Sequence, residues 1–187
     1  MTADREALAA EIAAYLADGP LDVDVQDRRL TELAADPDMP KRAQQAAVIA
    51  RVAKMQADDT RTARDQAGTA LTEVHGWKPV HAYTLMKVKR GLYARIRTRC
   101  LERGLDPQYR DEGEAQRIAG LYAGMPERLD ALADRAGEVR DEAIVHLLTT
   151  PASEGGMPNA EVARLTGLTT ARIAQLRPAT EQEPVPA

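Results

Sequence analysis

Residues 159–176 read NAEVARLTGLTTARIAQL, and this stretch decides the fold that the sequence predicts. Apolar residues at helical spacing lie on both sides of Gly167, which predicts two short helices joined by a tight turn. Gly167 can adopt the positive φ that such a turn needs, and Ala163 is small where the second helix must cross the first closely. We expect Asn159 to cap the first helix and Thr169 to cap the second.

The same stretch divides its side chains between an inner and an outer face. At helical spacing four apolar residues point inward, namely Val162, Leu168, Ile173 and Leu176. The outer face of the second helix keeps short or polar side chains, namely Thr170, Ala171, Arg172 and Gln175. A helix with this outer face has the side chains that can meet the edges of base pairs.

This pattern resembles the helix-turn-helix DNA-binding superfamily, especially the small regulators of high-GC bacteria, in which an Arg- and Ala-rich helix leads into the motif. The resemblance covers roughly residues 138–178. It implies that the second helix is a recognition helix in the major groove, with Gln175 pairing with adenine and Arg172 with guanine or phosphate. The DNA contacts that it implies on this helix are Thr169, Thr170, Arg172 and Gln175.

A weaker copy of the pattern lies in the middle of the chain, at about residues 64–100. RDQA at 64–67 returns as RDEA at 140–143, and in both places a Leu follows seven residues after the Arg. This predicts an internal repeat of two units of three helices. In the first copy Lys87 and Tyr83 stand where the motif usually has Gly and Ala. The sequence from 79 to 103 therefore predicts either a helix-turn-helix or one continuous amphipathic helix.

Charge is unevenly distributed along the 187 residues, whose net charge is −4. Residues 1–39 form an acidic head with ten Asp and Glu against three Arg, whereas residues 78–103 carry eight Lys and Arg against one Glu. Arg forks match phosphate oxygens, so we expect the basic segment to bind the DNA backbone. The side chains concerned are Lys87, Lys89, Arg90, Arg95, Arg97 and Arg99. The alternatives are a solvated face, or pairing with the acidic head, which is itself a possible docking site for a protein partner.

Helical periodicity extends over nearly the whole chain and predicts an all-α fold with long Ala-rich helices. We expect helices at about 3–17, 27–35 and 41–75, the last with a possible break at 58–60. The predicted segments are the head at 1–39, the basic unit at 40–103, a second helical unit at 104–178 and a disordered tail at 179–187. Stripes of small residues bury best against another helix, which suggests a homodimer.

Composition argues against several other classes of protein. Asp, Glu or Arg interrupts every apolar run well before a membrane span, and the charged N-terminus has no signal-peptide layout, so a cytoplasmic protein is expected. One Cys and three His supply neither a disulfide nor a structural zinc site. We expect no metal, no cofactor and no enzymatic activity, with Cys100 a buried thiol on an apolar stripe and Trp77 a plug between helices.

The hypothesis from sequence is a sequence-specific transcriptional regulator that binds double-stranded DNA. The basic middle helix would contact phosphates, and the C-terminal helix would contact the major groove. Two alternatives stay open. One is a helical adaptor or assembly protein that uses the same helices for protein contacts. The other is a sigma-like transcription factor, against which the low aromatic content of 3% argues.

Overall fold

The computed structural model of the chain describes residues 21–177, together with residues 10, 12 and 13, which are helical. The described residues form helices joined by short turns, with no strand among them, so the all-α prediction is confirmed. The helices are α1 (Val23–Ala34), α2 (Met39–Glu73), α3 (Pro79–Leu85), α4 (Arg90–Arg103), α5 (Glu112–Leu121), α6 (Met125–Thr149), α7 (Asn159–Thr166) and α8 (Thr170–Leu176). The rest of the predicted helix at 3–17 and the predicted tail at 179–187 lie outside the described residues.

The chain divides into two compact units. The middle unit is residues 54–131, and the terminal unit combines the residues up to 53 with those from 132 onward. The two long helices, α2 and α6, each contribute residues to both units. The predicted segments 1–39, 40–103 and 104–178 divide the chain at other points and stay predictions. Among the described helices, none combines the length and the apolarity that crossing a membrane needs.

The core of the middle unit is built from the second half of α2 together with α3, α4 and α5. Leu71 of α2, Ala82 of α3 and Ile96 of α4 are almost fully buried in it. Gly68 of α2 allows the turn between α3 and α4 to pack directly on α2, because a Cβ at this position would lie 2.0 Å from the sulfur of Met86. The end of α3 thus lies in close contact with α2.

The core of the terminal unit is formed by α6, α7 and α8 around the start of α2. Two of the four residues predicted to point inward from the C-terminal motif, Val162 and Ile173, have no exposed surface. The other two, Leu168 and Leu176, are partly buried against the same cluster. The inner face predicted from sequence is therefore confirmed.

Helix α2 runs without a break through the position where the sequence allowed one. The hydroxyl of Thr60 donates to the carbonyl of Gln56 at 2.7 Å, so it bonds within the helix instead of capping a new one. The small residues of α2 are buried within the single chain, among them Ala46, Ala53, Ala57 and Ala67. The stripe therefore needs no second subunit to cover it, and the homodimer stays a prediction without this support.

Candidate nucleic-acid interface

The basic segment folds as two helices, α3 and α4, separated by a tight turn. Lys87 adopts a left-handed backbone conformation with φ of 56°. The N–H of Val88 donates to the carbonyl of Tyr83 at 3.0 Å, and the N–H of Lys87 donates to that of Thr84 at 3.1 Å. These two bonds form a Schellman motif, the usual end of a helix followed by a left-handed residue. The segment is therefore a helix-turn-helix and not one continuous helix, although Lys87 replaces the usual Gly.

Tyr83, the second departure from the motif, is accommodated by packing. Its ring lies against the ring of Tyr93 in α4, with centroids 6.2 Å apart and planes inclined by 56°. Such a tilted arrangement is favourable for aromatic pairs. In the usual motif an Ala at this position lets the two helices cross closely. Here the Tyr83 ring fills the position and connects the helices by packing on Tyr93.

The predicted phosphate-binding side chains form an exposed group around the turn and α4. Helix α4 buries Tyr93, Ile96 and Cys100 on one side, three and four residues apart. The helical period then leaves its cations on the solvent side. All six predicted residues are exposed, and we call them the α4 basic surface: Lys87, Lys89, Arg90, Arg95, Arg97 and Arg99.

Within this surface Arg97 differs from the other cations. Its guanidinium donates to both carboxylate oxygens of Glu73, at 2.6 and 3.0 Å. These bonds hold the pKa of Glu73 below its usual range. The side chains of the other five cations form no hydrogen bond or ion pair with the residues that the structure describes, although Arg99 interacts electrostatically with the buried Asp65. The surface is therefore strongly positive and largely unneutralised.

The C-terminal motif also folds as predicted at its turn. Gly167 has φ of 68°, and the hydroxyl of Thr169 accepts from the N–H of Arg172 at 3.2 Å, which caps α8. The predicted cap at Asn159 is wrong. Asn159 is already the first helical residue, and the extended Pro158 before it occupies the cap position with no side-chain hydrogen bond.

The predicted base-contacting side chains of α8 are all exposed: Thr169, Thr170, Arg172 and Gln175. Arg172 donates to Asp141 of α6 at 3.2 Å and to the side-chain amide oxygen Oε1 of Gln175 at 3.5 Å. Helix α8 has seven residues, half the length of α4 with fourteen. The α8 surface is consequently smaller and more internally paired than the α4 basic surface.

Three described acids of the head bind elements of their own unit. Asp22 caps α1 by accepting from the N–H groups of Asp24 and Val25. Asp27 pairs with Arg135 of α6, and Asp36 pairs with Lys41 of α2 at 2.6 Å. The four acids before residue 20 lie outside the described residues, so pairing of the head with the basic segment stays a prediction.

The other candidate residues of the middle unit are buried or hydrogen-bonded within that unit. Cys100 is buried, and this burial raises the pKa of its thiol, as expected for an unreactive cysteine. Trp77 packs against the core and donates its indole N–H to Glu112 at 2.7 Å, which confirms it as a plug. His75 bonds the carbonyl of Tyr109 at 3.0 Å.

Sequence reasoning missed Glu73 as part of this surface. It is the last residue of α2, and 24 positions separate it from Arg97. No helical or turn spacing predicts a contact between residues so far apart. The sequence offered one indication, an acidic residue at the end of the helix that precedes the basic segment. Comparisons with protein-family models, with curated proteins and with solved structures give no match to this chain.

Proposed function

We propose that this chain is a DNA-binding regulator without enzymatic activity, whose α4 basic surface binds the phosphates of double-stranded DNA through its five cations other than Arg97. One observation carries the proposal. Five exposed cations, whose side chains form no hydrogen bond or ion pair with the described residues, surround a helix that a tight turn and a buried core hold in place. Unneutralised cations on a rigid element are typical of a surface that meets a polyanion.

The physical basis of the binding is the release of counterions. Each phosphate that a Lys or Arg neutralises frees condensed cations from DNA, and the slope of log K against log salt changes by about 0.9 for each contact. The guanidinium fork of Arg also matches the geometry of phosphate oxygens. Arg90, Arg95 and Arg99 would therefore supply affinity that depends steeply on salt and little on sequence.

The shape of the α3–α4 pair supports the same proposal. The second helix of a helix-turn-helix enters the major groove with its N-terminal residues towards the bases. Helix α4 begins at Arg90, with Lys89 at the N-cap position before it, and no side chain caps its first N–H groups. Those groups and both cations are open to an anionic partner.

Sequence specificity is assigned in this proposal to α8. Thr170 and Gln175 are exposed and polar, and a Gln can form two hydrogen bonds with adenine in the major groove. Arg172 would reach guanine or phosphate by exchanging its bond to Asp141. The hydroxyl of Thr169 is used to cap α8, so Thr169 would contact DNA through its methyl group or backbone.

The test is fluorescence anisotropy with a duplex of random sequence over a series of salt concentrations. Wild type is compared with a variant that carries Arg90→Ala and Arg95→Ala, and with a control that carries Arg110→Ala and Arg117→Ala. The control removes the same charge from exposed positions of the same unit. We expect the first variant to lose about 1.8 from the magnitude of the slope and the control to retain the wild-type slope.

Two results would contradict the proposal. If wild type does not bind even at low salt, the helices serve protein contacts and the adaptor hypothesis takes its place. If both variants lose the same slope, the positive charge acts without a defined surface, and α4 has no particular role.

A further inference from the structure

One cation of the α4 basic surface is already bound by an internal carboxylate. Arg97 presents two N–H donors side by side to the two oxygens of Glu73, at 2.6 and 3.0 Å. The Arg97 side chain is nevertheless 47% exposed, and that of Glu73 is 22% exposed. The pair therefore lies at the edge of the surface, where a DNA phosphate could reach the same guanidinium.

A chain of hydroxyl groups holds the carboxylate of Glu73 in position. The hydroxyl of Thr72 has two acceptors at 3.0 Å, the Glu73 carboxylate and the carbonyl of Thr69, and the hydroxyl of Tyr93 lies 2.8 Å from it. Tyr93 is buried in the core of the middle unit, so the chain is anchored on a rigid group. An anchored carboxylate loses less side-chain entropy in binding Arg97 than a free surface Glu would.

A carboxylate and a phosphate compete for one guanidinium, because both accept two parallel N–H bonds from the same fork. We infer that the Glu73 carboxylate competes with DNA phosphate for Arg97. Wild type then binds DNA through the unpaired cations, and Glu73 lowers the affinity of the protein for DNA. This inference rests on the proposed function and concerns the regulation of the same site.

The competition has a consequence for selectivity. Phosphate contacts act on every sequence alike, whereas base contacts distinguish one sequence from another. An internal carboxylate that withholds one phosphate contact lowers binding to all DNA equally and leaves base contacts as a larger share of the total. Glu73 would thereby keep the protein from being retained on random DNA.

The test compares four proteins with wild type in the same anisotropy titration on random duplex DNA. They are Glu73→Gln, Arg97→Ala, the double variant, and the control Glu114→Gln. The amide in Glu73→Gln still accepts from Thr72 but carries no charge. The control removes the same charge from a carboxylate of the middle unit that binds Arg117 of its own helix.

We expect Glu73→Gln to increase the magnitude of the salt slope by about 0.9 and to raise the affinity at low salt up to about fivefold. Arg97→Ala should leave the wild-type slope unchanged, because Arg97 contacts Glu73 and not DNA. The same change in the Glu73→Gln protein should remove the whole gain. Glu114→Gln should keep the wild-type slope.

The outcomes separate this inference from the proposed function. Absence of binding by every protein at low salt overturns the proposed function and the inference with it. Salt-dependent binding with no gain in Glu73→Gln, or an equal gain in Glu114→Gln, overturns the inference alone. A loss of about 0.9 in slope for Arg97→Ala also overturns it, and this result does not require Glu73→Gln to fold.

Discussion

Lys87 is the residue on which the geometry of the α4 basic surface depends. Its left-handed backbone, with φ of 56°, ends α3 and sets the direction in which α4 leaves the turn. This conformation costs an L-residue about 1–2 kcal/mol relative to glycine. The chain accepts this cost at a position where glycine would remove a cation from the surface.

Replacing Lys87 by Gly should raise the free energy of unfolding by about 0.5–1 kcal/mol. The relief of the left-handed backbone, about 1–2 kcal/mol, exceeds the extra freedom that Gly gives the unfolded chain, about 0.4–1 kcal/mol. Urea denaturation followed by the fluorescence of Trp77 measures the change. Lys87→Ala is the matched control, since it removes the charge and keeps the unfavourable φ. An equal gain in the Ala variant would show that charge and not backbone conformation is responsible.

Helices α7 and α8 show how capping, and not helix propensity alone, positions the elements of the C-terminal motif. Thr169 accepts a bond from the N–H of Arg172, while Asn159 falls inside the first turn of α7, where its side chain caps nothing. In the sequence both residues were predicted as N-caps. In the structure α7 begins one residue earlier than predicted, with the extended Pro158 at the cap position, so Asn159 is not a cap.

Thr169→Ala should destabilise α8 by about 1 kcal/mol, the usual cost of losing an N-cap, and Asn159→Ala should cost no more than a few tenths of that. Hydrogen exchange measured by mass spectrometry reports this directly. The amides of α8 should exchange about fivefold faster in Thr169→Ala, whereas those of α7 should exchange at the wild-type rate in Asn159→Ala. An acceleration of about fivefold for the α7 amides in Asn159→Ala would mean that Asn159 contributes a cap after all.

At the scale of the whole molecule, the middle unit has a positive net charge and a buried core of its own. The middle unit, 54–131, carries 14 Lys and Arg against 11 Asp and Glu, although the chain as a whole has a net charge of −4. It has its own buried core, and the ion pairs Lys54–Asp130 and Arg64–Glu127 join the first part of the segment to the last. The positive surface and the elements that position it therefore belong to one continuous segment.

A fragment of residues 54–131 should fold cooperatively and bind random duplex DNA with the salt slope of the full chain. Its affinity at low salt should be higher, because the acidic head and the other acids of the terminal unit are absent. Thermal unfolding followed by circular dichroism, and anisotropy titrations beside the intact protein, measure both properties. A fragment that folds but shows a smaller slope would indicate that the terminal unit supplies phosphate contacts of its own.

Much of the fold followed from local sequence. Helical periodicity predicted an all-α protein, and Gly167 predicted the turn between α7 and α8. Val162 and Ile173 were correctly placed in the core. These features depend on residues within one or two helical turns of each other, and a sequence displays such neighbours directly. The exposed positions of the α4 cations were predictable for the same reason, whereas their role in DNA binding stays a proposal.

The sequence by itself determined that the chain is helical and which residues of the C-terminal motif face inward, and tertiary structure decided where the middle helices end and which distant residues meet. Only the folded chain showed that Lys87 ends a helix instead of continuing it, next to the close contact of Met86 with Gly68. Only the folded chain showed that the alanines of α2 are buried within the single chain, and that Glu73 binds Arg97. Both results depend on distances between residues far apart in the chain, and these distances arise when the helices pack.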